Sequence, residues 1–365
     1  MRVGIVGGGQ LGRMLALAGH PLGLACTTLD PSPGSPAAQV APSIVGGYGD
    51  REALLDLADR SDVVTYEFEN VPVDSVRLIA DAGATVHPPA AALEAAQDRL
   101  AEKTLFTEIG LPVPTFAAVQ DLASLEVAIE AVGLPAVLKS RRLGYDGKGQ
   151  AVIRHRELAD DAWRAVGEVP CILEAFVTFD RELSILGARG SDGETRCWPL
   201  VENQHLDGIL RVSRAPAVGV DPALQATAQA QIERLMDHLG YVGVLAIELF
   251  EAGGVLMGNE MAPRVHNSGH WTIEGSETSQ FEQHLRAVCG LPLGSAQMRG
   301  FAVMVNAIGE APPADAVLRV PGAHLHMYGK EPRPGRKIGH VTVRSEDEES
   351  LLRSVAQVRA LLADA

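Results

Sequence analysis

Apolar segments of strand length alternate with amphipathic helical ones through residue 83, which predicts an α/β fold opening on a parallel sheet. A glycine turn, GGGQLG at 7–12, lies between the first strand and the first helix, as in a Rossmann-like unit. From residue 135 several strand-length segments follow one another without helices between them, so the remainder reads as α+β.

The elements run in this order. RVGIV (2–6) is a buried strand and RMLALAG (13–19) the opening of a helix. LACTTLD (24–30) is a second strand, REALLDLAD (51–59) a helix, DVVTYEFE (62–69) a strand and VDSVRLIADAG (73–83) a helix. One helix is expected around 92–109, ended by the two prolines of GLPVPTF (110–116). LEVAIEAVG (125–133) is a helix. PAVLKS (135–140) and AVIRH (151–155) are strands around a polar, glycine-rich segment. CILEAFV (171–177), ELSILGAR (182–189) and TRCWPLVEN (195–203) are further strands. A helix at 222–239 precedes VGVLAIELFE (242–251), AGG (252–254) and VLMGNEM (255–261). Short strands, a Pro-rich loop and a helix near 346–363 close the chain.

Composition narrows the function. Against 46 Asp and Glu there are 31 Lys and Arg, a net charge of −15, which argues against a general nucleic-acid binder. Hydrophobic residues make up 46% and charged residues 21%, so the 365-residue chain supports full cores in two or three domains. The four cysteines form no CxxC pair, which favours reduced, cytoplasmic thiols. No apolar run is long enough for a bilayer. Gln10 and Arg13 interrupt the apolar start, so it reads as folded protein rather than a signal peptide.

Five segments carry chemistry. Gly7, Gly9 and Gly12 present helix N–H groups to an anion, and Asp30 ends the next strand where a nicotinamide enzyme has its ribose acid. That pattern alone fits either a dehydrogenase or a turn used for packing or another phosphate. In LKSRRLGYDGKGQ (138–150), Lys139, Arg141, Arg142 and Lys148 surround glycines in a way that suits polyphosphate, although the spacing is not that of a Walker A loop. Glu248 and Glu260 face each other if the hairpin is centred on Gly254. Opposed like charges in an apolar hairpin call for a divalent cation, and oxygen ligands favour Mg²⁺. Strict alternation points Asn259 to the other face. Arg264, His266, Asn267 and His270 follow at once; the guanidinium suits a small oxyanion, while zinc on the two histidines lacks an HExxH pattern. Lys330, Arg333, Arg336 and Lys337 form a basic loop suited to a phosphomonoester.

GGGQLGRM, TYEFENVP, Lys139 with GYDGKGQ, ENQH, NEMAPRVHNSGHWT and YGKEPRPGRKIGH occur in an order that closely resembles the N5-carboxyaminoimidazole ribonucleotide synthetases, over essentially the whole chain. The resemblance implies an ATP-grasp fold: a Rossmann-like N-terminal domain (1–95), an ATP-grasp domain (96–295) with a mobile subdomain at about 105–177, and a small C-terminal domain (296–365). It implies a homodimer. It also implies ATP- and bicarbonate-dependent carboxylation of 5-aminoimidazole ribonucleotide through carboxyphosphate, in purine biosynthesis, with a mutase as the next enzyme.

The same resemblance assigns residues. Arg99 and Lys139 would hold the ATP phosphates, and Gly144, Tyr145, Asp146, Gly147, Lys148, Gly149 and Gln150 would close over them. Glu174, Ala175, Phe176 and Val177 would line adenine, Glu182 would bind ribose, and His205 belongs to the same site. Glu248 and Glu260 would carry Mg²⁺ beside Asn259. Arg264, His266 and Asn267 would hold bicarbonate or carboxyphosphate. Gln10, Leu11, Glu69, Tyr145, Asp146, Lys330, Arg336 and Lys337 would contact the aminoimidazole nucleotide. Other readings are another ATP-grasp ligase, such as a formate-dependent glycinamide ribonucleotide transformylase, an NAD-dependent dehydrogenase, or a catalytically dead nucleotide sensor.

Overall fold

The computed structural model describes residues 1–144 and 149–362. The N-terminal strands β1 (Arg2–Val6), β2 (Ala25–Asp30), β3 (Ser43–Val45) and β4 (Val63–Tyr66) form a parallel sheet in the order β3-β2-β1-β4. It is wound by α1 (Gln10–Gly19), α2 (Arg51–Asp59) and α3 (Val73–Asp81). β4 ends at Tyr66, sooner than 62–69 anticipates, because Glu67 and Glu69 turn aside to make side-chain bonds.

The single helix expected over 92–109 is two. α4 (Ala90–Ala96) stops at Gln97, and Asp98 caps α5 (Arg99–Glu108), its carboxylate accepting from the Leu100 N–H at 3.0 Å. A capping aspartate inside a helical pattern restarts the helix on a new axis.

Next come β5 (Phe116–Val119), α6 (Leu122–Val132), β6 (Ala136–Ser140), β7 (Gln150–Ile153), α7 (Ala159–Ala165) and β8 (Cys171–Ala175). Their strands make an antiparallel sheet, β5-β8-β6-β7, over a core of its own that includes Leu125, Leu138, Trp163 and Leu173.

The largest sheet has nine strands. β9 (Arg181–Arg189), β10 (Thr195–Cys197), β11 (Val201–Leu206) and β12 (Ile209–Ala215) precede α8 (Pro222–His238). The hairpin β13 (Gly243–Ala252) and β14 (Val255–Ala262), α9 (Thr272–Gly275) and α10 (Gln280–Val288) follow. β15 (Phe301–Ile308), α11 (Ala314–Leu318), β16 (Ala323–Met327), β17 (Lys337–Ser345) and α12 (Glu348–Leu361) complete the described chain. The order is β14-β13-β9-β11-β12-β15-β17-β16, with β10 beside β9. The segment 195–203, expected as one strand, is interrupted around Pro199, which has no N–H for the ladder.

The N-terminal sheet docks on the central domain through one apolar cluster in which Leu15 of α1 meets Phe281 and Leu285 of α10. A polar latch lies nearby: Thr65 Oγ1 is 2.8 Å from His284 Nε2, and the Val244 N–H donates to His284 Nδ1 at 3.1 Å. Each fully buried Leu or Phe contributes roughly 1.5–3 kcal/mol, and a buried hydrogen bond nets about 1 kcal/mol. Apolar packing therefore sets the docking, and the latch fixes its register.

Candidate active site

Between the three sheets lies a cleft of ≈ 560 Å³. It is lined by Gln10, Leu11, Glu69, Arg99, Lys139, Gly144, Gln150, Glu174, Ala175, Phe176, Val177, Glu182, His205, Glu248, Asn259, Glu260, Arg264, His266, Asn267 and Lys337 among the residues singled out by sequence. Gly149, Lys330 and Arg336 are not on its wall. Tyr145, Asp146, Gly147 and Lys148 lie outside the described residues.

Glu248 and Glu260 are Cα partners across the β13–β14 hairpin, though not by the symmetry that a turn centred on Gly254 implies. The turn pairs Ala252 with Val255 and Leu249 with Gly258, which would set Glu248 against Asn259. A bulge between Glu248 and Leu249 adds one residue on β14 and restores Glu248 to Glu260. The bulge also breaks strict alternation, so Asn259 reaches the cleft wall instead of the far face. The charges are asymmetric. Burial and the Glu260 charge push Glu248 up to about 7. Burial also opposes ionisation of Glu260, but Arg99, donating at 2.9 Å, holds it down to about 2.

His266 Nε2 stands 3.5 Å from Glu248 Oε1, and its Nδ1 is 2.9 Å from Ser268 Oγ. Burial and the Arg264 charge lower His266 to about 3, so the ring is neutral at ordinary pH. Arg264 pairs with Glu69 and also donates to the Val265 carbonyl at 2.9 Å. Burial opposes the Glu69 charge, yet the guanidinium keeps that carboxyl below its usual range. Asn267 exchanges hydrogen bonds with Asn306, at 3.1 and 2.8 Å.

On the opposite wall Lys139 Nζ lies 3.0 Å from Glu174 Oε2, which also takes the buried Lys103 at 3.4 Å. Arg141 grips Asp98 through two bonds of 2.9 and 2.7 Å, tying β6 to the start of α5. His205 Nδ1 is 2.8 Å from Glu182 Oε2. Phe179 and Phe250 stack at 4.7 Å and give the cleft a flat apolar wall. Lys330 sits near Glu67, Arg336 and Lys337; burial and the two cations push it down to about 8.

Sequence reasoning misses Glu67. Its carboxylate accepts from the N–H groups of Gly9 and Gly12, the latter at 2.5 Å, and fills the anion site of the glycine turn from within the chain. A Cβ on Gly9 would collide with Glu67 Oε1, so glycine is required for this approach. Asp30 is equally committed, accepting from the Gly8 and Ser32 N–H groups at 2.9 Å and from the Tyr48 hydroxyl at 2.7 Å. A dinucleotide would find both its phosphate donors and its ribose acid taken, which rejects the dehydrogenase reading. The available signal was the first carboxylate of TYEFE, one strand away from the turn. Phe179, Phe250, Lys103 and Asn306 were missed as well, because each acts through pairings distant in sequence.

Residues 1–97 match the ribonucleotide synthetase preATP-grasp domain, 104–281 the ATP-grasp domain, and 302–354 the phosphoribosylaminoimidazole carboxylase C-terminal domain. The chain is 52% identical over 362 residues to the N5-carboxyaminoimidazole ribonucleotide synthase of Pseudomonas aeruginosa, covering 99% of each chain. It superposes on the crystal structure of the synthetase from Thermus thermophilus with a TM-score of 0.96 and 55% identity, over 100% and 99% of the two chains. The Aspergillus clavatus enzyme in complex with ADP and 5-aminoimidazole ribonucleotide gives 0.90 at 31% identity, over 98% of each.

Proposed function

Because the chain belongs to the N5-carboxyaminoimidazole ribonucleotide synthetases, which are ATP-grasp ligases, we propose how the residues of its cleft divide the work. The protein catalyses the ATP-dependent carboxylation of 5-aminoimidazole ribonucleotide in purine biosynthesis. Bicarbonate is the carboxyl source in our reading. It attacks the γ-phosphate of ATP, releasing ADP and giving carboxyphosphate; the exocyclic amine then takes the carboxyl carbon as inorganic phosphate leaves and the amine loses a proton.

The observation that carries this reading is the opposed Glu248 and Glu260 in the same cleft as Arg99, Lys139 and Arg264. Two partly exposed carboxylates at the cleft wall, one pushed up to about 7 by desolvation and by the other's charge, form an oxygen-donor pair that fits a divalent cation such as Mg²⁺. When bound, that ion neutralises phosphate charge. Arg99 and Lys139 supply further positive charge to the triphosphate, with Gly144 and Gln150 on the same cleft wall. Ala175, Phe176 and Val177, with the Phe179–Phe250 stack, suit an adenine, while Glu182 and His205 suit its ribose.

Arg264, its Nε held by Glu69 and its Nη1 donating to the Val265 carbonyl, offers its charge and remaining N–H donors to the bicarbonate oxygens. His266 stays neutral and serves as a hydrogen-bonding group instead of a cation, and Asn306 holds Asn267 in orientation. Glu69, Gln10, Leu11 and Lys337 line the end of the cleft next to the N-terminal sheet, where the ribonucleotide fits, with Lys330 and Arg336 nearby for its phosphate. Phosphoryl transfer depends mostly on such positioning and charge neutralisation, and a labile acyl phosphate requires that water be kept out.

The domain limits 1–95, 96–295 and 296–365, a homodimer, a cytoplasmic location and a transient contact with the mutase are part of the same proposal, supported by the family resemblance. No helix among the described residues is long and apolar enough to cross a membrane.

The test is ADP release from ATP, Mg²⁺ and 5-aminoimidazole ribonucleotide in degassed buffer, with and without bicarbonate. Release that needs the ribonucleotide and rises with bicarbonate is the expected result. Release that rises with formate and glycinamide ribonucleotide instead would replace this reading with the transformylase one.

A further inference from the structure

We propose that Lys103 is a positioning residue for the cation-binding carboxylates: its ammonium group holds the Asn259 bulge that brings Glu260 opposite Glu248. The proposal rests on the reading of that pair as the cation site.

One face of α5 grips four consecutive residues of β14. Arg99, Glu102 and Lys103, spaced i, i+3 and i+4, fall on the same side of the helix. Arg99 donates to the Glu260 carboxylate at 2.9 Å. Glu102 Oε1 accepts from the Met261 N–H at 2.6 Å. Lys103 Nζ donates to the Gly258 carbonyl at 2.8 Å and to the Asn259 carbonyl at 2.7 Å. The residues gripped are those over which the ladder slips by one.

Lys103 takes no part in the cleft itself. Its side chain has 0% exposure, so it cannot touch a substrate in the cleft. An ammonium group has three N–H donors. Two go to the carbonyls and the third faces Glu174 Oε2 at 3.4 Å, so the group is fully satisfied. Burying a charge is costly unless it is paired and hydrogen-bonded, and an apolar residue of the same volume would avoid that cost. The ammonium is therefore explained by what it holds.

A bulge interrupts regular pairing, so carbonyls beside it need donors from elsewhere. Lys103 supplies two of them. Without the extra residue the turn register sets Glu248 against Asn259, and the two carboxylates no longer meet. Gly258 makes the grip close enough: a Cβ there would lie 2.8 Å from the Phe106 ring and 2.9 Å from Leu111. Lys103 reaches the opposite wall too. The oxygen of Glu174 that it faces is the one bonded to Lys139, so one buried cation braces both the carboxylate pair and the anchor of the phosphate-binding lysine.

The experiment compares Lys103→Met, which keeps the chain length and loses every donor, with Lys103→Gln, which keeps two N–H groups. Crystal structures give the β13–β14 register, and electron paramagnetic resonance titration with ADP present gives Mn²⁺ affinity. In Lys103→Met the Glu248–Glu260 register is expected to be lost, with Mn²⁺ Kd raised at least tenfold and kcat lowered. The KM for 5-aminoimidazole ribonucleotide stays within twofold. Lys103→Gln should fall between it and the wild type. A folded Lys103→Met protein with unchanged register and Mn²⁺ affinity overturns the proposal, even if its Tm is lower.

Should Lys103→Met fail to fold, Gly258→Ala displaces the bulge from α5 without removing a polar group. Unchanged Mn²⁺ affinity in that variant would then overturn the proposal, and a tenfold loss would support it. If Glu248→Gln and Glu260→Gln leave Mn²⁺ binding untouched, the cation reading fails by itself. The register in the Lys103→Met or Gly258→Ala crystal then decides the role of Lys103.

Discussion

The glycine turn at 7–12 and the carboxylate hairpin at 248–260 both look like ion sites in the sequence, and the fold treats them in opposite ways. At the turn, the Glu67 carboxyl comes from within the chain and satisfies the N–H groups of Gly9 and Gly12, which offset part of the rise that burial imposes on it. At the hairpin, two carboxylates are brought face to face, and the cations near them leave Glu248 still pushed up to about 7. A charged pattern whose partners are internal is scaffold. One whose conflict is left open at a cleft wall is the candidate site.

The largest effect expected on this contrast is at the hairpin. Glu260→Gln removes a full charge from the pair and should cut ADP formation by at least about 100-fold, as losses of transition-state electrostatics do. Near-normal turnover would show that the two regions do not differ in kind. Glu67→Ala probes the other side. It strands two N–H groups at the start of α1 and should cost about 2–3 kcal/mol of stability in urea denaturation. A loss of activity at unchanged stability would mean that the Gly9 and Gly12 N–H groups or Glu67 itself serve the ligand, beside Gln10 and Leu11 on the cleft wall.

Smaller effects sharpen the comparison. Lys337 lies on the cleft wall, near Lys330 and within electrostatic reach of Glu248 and His266, and Lys337→Ala should raise the KM for 5-aminoimidazole ribonucleotide roughly tenfold with little change for ATP. Equal changes in both constants would remove the basic loop from the phosphate end of the cleft.

The smallest effect concerns His284, which latches β4 to β13 and so joins the two regions. Burial lowers it to about 3 from an ordinary value of 6.5, so the native ring is neutral while the unfolded one titrates. The stability it contributes is fully present above pH 6.5 and is lost as pH falls from there toward 3. His284→Asn should flatten that part of the stability–pH curve, as followed by thermal denaturation at each pH. An unchanged slope would assign the acid sensitivity to other groups.

Much of the parallel sheet was legible because its strands are continuous apolar runs between helices with a regular period: the stretch read as a helix at 51–59 is α2 residue for residue. The break between α4 and α5 was not, because Asp98 acts as a cap only once its side chain has turned onto Leu100. β5 and β12 went unread: β5 is only four residues long, and polar residues interrupt β12, so both take their identity from partners distant in sequence. Most of the site was legible as residue types. Its arrangement was not: Asn259 is on the cleft wall because of a bulge that alternation cannot anticipate.

The sequence by itself determined the order of most strands and helices, the acidic balance, the presence of two carboxylates on one hairpin and the motifs that identify the family. These are local or additive properties, fixed by side-chain period, turn chemistry and composition. Only the tertiary structure decided that Glu67 closes the glycine turn, that Glu69 pairs with Arg264, and that α5 holds the β14 bulge. Each joins groups 55 to 195 residues apart in sequence. Which buried donor meets which acceptor over such separations depends on how whole elements dock, and that docking is set by the apolar packing between them.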